Sequence, residues 1–89
     1  MLEDIKKMLG INNTDFDIII KSYISSAKED LVMTGIAESK VIEQNPLIYS
    51  AIVSYVKSFI DIDNAELYQN AYALQKDALR HHIEYISEE

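Results

Sequence analysis

Four stretches of the chain repeat apolar residues at helical spacing, and polar clusters separate them. Leu2, Ile5, Met8 and Leu9 share one side of a first helix, and Gly10 follows, ready for the left-handed conformation that stops it. At two turns this helix must pack on something to persist. Thr14 and Asp17 have capping-box spacing and predict a second helix over about 15–34, ended by Gly35. Phe16, Ile19, Ile20, Tyr23, Ile24, Ala27 and Leu31 fall within an arc of about 140° on it. Ile18 and Val32 point out with the polar set. Residues 37–42 are expected to make a helical turn.

Asn45-Pro46 is the clearest punctuation. Asparagine caps, and proline at the first helical position needs no amide partner. The third helix, Pro46 to about Ile60, is apolar over about 160°, through Ile48, Tyr49, Ile52, Val53, Tyr55, Val56, Phe59 and Ile60. Such a helix is central and buried. Its remaining strip, Ser50, Ser54, Lys57 and Ser58, has two readings: the solvent side, which is preferred, or a small-residue stripe that permits close approach of a neighbouring backbone. Asp63 and Glu66 form another capping-box pattern, opening a fourth helix to about Ile86. The apolar arc of that helix spans about 180°, more than one intramolecular contact needs. The expected fold is all-α: a small four-helix domain with a short first helix, long second and fourth helices, a buried third and a projecting C-terminal helix.

Length agrees with that economy. Eighty-nine residues make one small domain, residues 1–89, which buries only about 60–65% of its unfolded surface. Two glycines and one proline leave little material for the turns of a β-sandwich. Fifteen acids against eight bases give a net charge of −7, with the bases scattered singly. That composition disfavours a nucleic-acid binder or an anionic-membrane ligand. Without cysteine there is no disulfide, zinc–thiolate site or thiol catalysis. No apolar run reaches the length of a membrane span, and the N-terminal residues lack a signal-peptide pattern, so a cytoplasmic product is expected.

Candidate chemistry is sparse. His81 and His82 point about 100° apart on a helix and cannot share one metal ion. Asp77 and His81 are one turn apart, a spacing common by chance on acidic helices. Asp61-x-Asp63-Asn64 has the start of a calcium loop, but Glu66 stands where the loop needs glycine, and helix capping explains these acids. No phosphate loop or nucleophile–base constellation is present, so no enzyme activity and no cofactor are expected. The tyrosines lie mostly on apolar arcs, where core or interface packing is the default. The excess apolar surface of the fourth helix argues for self-association or a protein partner.

The order of elements carries a resemblance. Leu2-x-x-Ile5-Lys6-x-x-Leu9-Gly10-Ile11 is followed by Asn13-x-Asp15-x-Asp17. A long helix then ends Ile24-x-x-Ala27-Lys28-Glu29-x-Leu31-x-x-Thr34-Gly35, and Asn45-Pro46-x-Ile48-x-x-Ala51-Ile52 leads into a helix bearing Tyr55. Over residues 2–60 this resembles the head–tail connector (head-completion adaptor) proteins of tailed bacteriophages and prophages. Ala71-Tyr72-x-Leu74 is similar to the longer last helix of one branch. Many relatives carry Arg or Trp after the tyrosine helix, where this chain has Ser58-Phe59-Ile60-Asp61.

The resemblance implies a structural virion-assembly protein, not an enzyme. It would form a ring of many copies at the portal vertex, join the DNA-filled head to the tail and extend the DNA channel. The implied partners are further copies of itself, the portal protein and a downstream stopper or tail-completion protein. DNA would pass without sequence-specific binding, and no membrane is involved. The implied location is the head–tail interface of the virion, after synthesis in the bacterial cytoplasm. The expected subunit or portal interface is Tyr72, Leu79, His82, Ile83 and Ile86. The alternative is an acidic helical regulator that inhibits a basic partner or mimics DNA. It would want clustered surface acids, and here the acids are dispersed.

Overall fold

A computed structural model describes residues 1–86, apart from the side chain of Ile83. Four helices follow one another: α1 (Leu2–Leu9), α2 (Asp17–Met33), α3 (Pro46–Ile60) and α4 (Ala65–Arg80). Single 3-10 turns at Glu38–Lys40, Ile62–Asn64 and Ile83–Tyr85 complete the path. The fold is all-α, and among the described residues the only strand-like pairing is an isolated antiparallel bridge between Ile36 and Ile86. No described helix is long and apolar enough to cross a membrane.

The core sits where α3 crosses between α2 and α4. Ile48, Ala51, Ile52 and Val56 of α3 are fully buried, with Ile20, Ala27 and Leu31 of α2 and Ile5 of α1 around them. A row of rings extends this packing outward. Tyr72 meets Tyr55 edge-on at 5.1 Å, Tyr55 lies 5.1 Å from Phe59, and Phe59 stacks on Tyr23 at 4.8 Å. The molecule measures 41 × 23 × 18 Å. A body 18 Å thin is under two helix diameters deep, so its outer helices cannot be covered on both sides.

Helix boundaries follow local chemistry. Gly10 adopts φ 71° and Gly35 φ 103°, the left-handed region that closes α1 and α2. Asn45 caps α3, its Oδ1 accepting from the amides of Leu47 at 3.0 Å and Ile48 at 3.4 Å. Its Nδ2 donates to the Tyr85 hydroxyl at 3.0 Å, tying the cap to the chain's end. Asn45→Ala is expected to cost about 1–2 kcal/mol in a urea or thermal unfolding experiment. Asn45→Asp keeps the cap acceptor and should recover most of the loss.

Four expectations from sequence are corrected. First, α2 starts at Asp17, and Thr14 makes no side-chain cap. The Asp17 carboxylate is drawn instead to the nearly buried Lys6 ammonium, 2.8 Å away. That hydrogen bond raises the Lys6 pKa, against the opposing pull of burial. Second, the turn before α4 holds no capping box; Asp61 accepts from the Asn64 amide at 3.2 Å. Third, the serine strip of α3 is largely covered rather than a solvent face, with Ser50 alone exposed. Ser54 and Ser58 are buried, and Ser50 accepts from Gln75 Nε2 of α4 at 2.9 Å. The small side chains admit α4 close against α3.

Fourth, the C-terminal helix does not project. α4 ends at Arg80, six residues before the expected end, and the chain doubles back. Tyr85, only 9% exposed, re-enters the core. Its carbonyl accepts from the Ala37 amide at 2.7 Å. The ring in the core, the Asn45 bond and the Ile36 bridge together outweigh two more helical turns in water.

Candidate assembly surface

α4 presents two different apolar faces. The inner one carries Tyr72 and Leu79, 8% and 4% exposed. The Tyr72 hydroxyl donates to Asp30 Oδ2 at 2.6 Å, and Lys76 Nζ reaches the same oxygen at 3.2 Å. Burial and the Asp30 carboxylate push the Tyr72 phenol far above its ordinary value. Folding therefore favours the protonated phenol. The stabilisation is full below about pH 10, the usual tyrosine value, and is lost as pH rises beyond it. Tyr72→Phe is expected to flatten the loss of stability above pH 10, and to cost about 1–2 kcal/mol at neutral pH. Unfolding series at pH 7 to 11 check both.

The outer face is a stripe of Leu67, Ala71, Leu74 and Ala78. Leu67 is 63% exposed and Leu74 73% exposed. Ala78 is exposed and Ala71 half-buried. The spacings of four, three and four residues keep the stripe on one side of the helix. Beside it lies a pocket of about 210 Å³ between the start of α3 and the end of α4, walled by Leu47, Gln75, Ala78, Leu79, His82 and Tyr85. Gln75 Oε1 is buried there without a hydrogen-bond partner among the described residues. A second, shallower apolar hollow joins Met8, Leu9, Ile11 and Phe16 to Ile60 and Ile62, with Asp61 and Asp63 on its rim.

The five residues expected at an interface are therefore distributed. Tyr72 and Leu79 are core residues of the free chain. His82 is exposed, its ring edge-on to Tyr85 at 5.5 Å, and lies on the pocket wall. Ile86 is 44% exposed beside Ile36. The side chain of Ile83 lies outside the described residues. Leu67 and Leu74 are the large apolar side chains that α4 leaves most open. Both belong to the wide arc read from sequence, but Tyr72 and Leu79 are also seven residues apart, so spacing alone does not separate the outer stripe from the core.

Polar clusters are accounted for locally. His81 Nδ1 lies 2.7 Å from the Asp77 carbonyl, one turn back, and 3.5 Å from its carboxylate. Arg80 pairs with the same carboxylate at 3.2 Å. Among the described residues no three His, Cys, Asp or Glu side chains converge as a metal site.

An all-α domain with an apolar face left open on its last helix has the kind of surface that a protein partner or a second copy would bury. A family model described as phage connector protein matches residues 1–87, and the chain belongs to that family. It is a family of structural proteins. The match runs beyond the motifs of residues 2–60 and takes in all of α4 and the returning tail. Searches of the curated proteins and of the solved structures give no match.

Proposed function

We infer that the chain is a head–tail connector subunit. It joins a multi-copy ring at the portal vertex of the DNA-filled head and prepares that vertex for the stopper or tail. Its partners are then further copies of itself, the portal and the next tail-side component, at the head–tail interface of the virion. Residues 1–89 act as one helical unit in this reading. The observation that carries it is the family match over 1–87, on a chain whose α4 leaves Leu67 and Leu74 open.

Two properties of the chain support the details. A ring subunit needs surfaces on both flanks, and the chain carries two separate apolar surfaces: the α4 stripe with its pocket, and the hollow at Met8, Phe16 and Ile62. His82 and Ile86, beside the pocket and the returning tail, extend the first. Tyr72 and Leu79 support it from beneath by fixing α4. The charge of −7 suits a conduit, because an acidic wall repels phosphate and lets DNA pass without adhering.

Composition analysis of purified tailed particles is the direct check. The reading requires the chain in multiple copies per finished particle, and its absence from empty precursor heads. A chain found only in the lysate, and never in particles, contradicts it.

A further inference from the structure

The outer stripe of α4 is complementary to itself. Set two copies of α4 antiparallel, so that facing residue numbers sum to 145. Leu67 then lies over Ala78 of the second copy, and Ala71 over Leu74. Each large side chain meets a small one at all four positions, the condition for close helix packing at about 8 Å. Leu67, Leu74 and Ala78 are already exposed, so nothing in the core has to move.

Charge agrees with the same register. The start of α4 is acidic, through Asp63 and Glu66, whereas its end is balanced, with Arg80 paired to Asp77 at 3.2 Å. Antiparallel pairing brings the acidic start of each copy to the Arg80 end of the other, away from the other acidic start, and opposes the two helix dipoles. A parallel pair would place acid on acid. The stripe itself is uncharged, on a chain whose net charge otherwise keeps copies apart.

We propose that two free chains pair antiparallel through Leu67, Ala71, Leu74 and Ala78 of α4. The contact is two-fold and closed, so it adds no third copy. It covers the stripe in the free chain and must open before that stripe can meet another partner. One pair of 16-residue helices buries less than the ~800 Å² per partner of a stable interface, so a weak dimer is expected, with a Kd on the order of 10–100 µM.

Cysteine cross-linking reads the register, because the natural chain has no cysteine. Leu67→Cys and Ala78→Cys sit at exposed positions and leave the fold intact. Mixed and oxidised, they should give a disulfide-linked dimer. Each alone should stay monomeric, since like positions lie about 16 Å apart along the antiparallel pair, beyond disulfide reach. Sedimentation of the unmodified chain should show its average mass rising toward twice the monomer over the same concentrations. In the double variant Glu66→Lys/Arg80→Glu, association should recover from the weakening that each single change causes. Cross-linking of each single variant with itself would mean a parallel pair and overturn the proposal. So would a mixture that fails to cross-link, with a chain that stays monomeric at 500 µM on the order of tenfold above the expected Kd.

Discussion

A chain carrying Leu67→Asp and Leu74→Asp is expected to fold and yet fail to join portal-bearing heads. Both leucines are mostly exposed, so the folded state loses almost no packing. The cost comes from the poorer helix propensity of aspartate, about 1 kcal/mol for the two together. At an interface the same change is severe. Each buried leucine contributes about 1.5–3 kcal/mol, and an aspartate in its place must be desolvated without a partner. Loss of both should lower head binding by at least ~10³-fold, on the order of 4 kcal/mol. Unfolding curves on the variant separate this from misfolding. A variant that folds and still binds heads at wild-type strength would remove α4 from the interface.

Tyr85→Ala is the matching prediction for the fold. The residue is the chain's last core side chain in the described structure, and three interactions converge on it. Its ring is buried, its hydroxyl accepts from Asn45, and its carbonyl accepts from the Ala37 amide. Removing a buried aromatic ring costs about 3–5 kcal/mol. A domain of this length has about 5–13 kcal/mol in total, so the variant should unfold at much lower urea. Tyr85→Phe keeps the ring and should cost about 1 kcal/mol, from Asn45 Nδ2 left without its acceptor. Cutting the chain after Lys76 is correspondingly a poor test of assembly. It removes Leu79 as well as Tyr85 and takes the core with the surface.

The parts of this architecture that sequence reveals are those decided by one or two neighbouring residues. Gly10, Gly35 and Asn45-Pro46 mark their boundaries because backbone conformation and capping are local. α1 and α3 accordingly match the expected spans. The start of α2 was hidden because Asp17 has two suitors, a cap position nearby and Lys6 across the fold. The end of α4 was hidden because no glycine or proline follows Arg80, and the 100° periodicity runs on through Tyr85 and Ile86. Only tertiary contacts, to Asn45, Ala37 and Ile36, turn the chain back. The serine strip failed for a related reason. A central helix has neighbours on more than one side, and a narrow strip of small residues serves close packing as well as it serves water.

The candidate surface was half visible for the same reason. An apolar arc of about 180° on α4 announces more surface than one core consumes, but not which half goes inside. Tyr72 and Leu79 went in, held by Asp30 and by α3, and Leu67 and Leu74 stayed out. In the connector reading proposed above, the exposed half is the part that assembly would bury.

Electron microscopy of DNA-filled, portal-bearing heads incubated with the purified chain is the most direct measurement. The account predicts added density in a ring at the portal vertex alone, present with the wild-type chain and missing with Leu67→Asp/Leu74→Asp. Heads that stay unchanged with wild-type chain, or that bind it over the whole capsid surface, would contradict it.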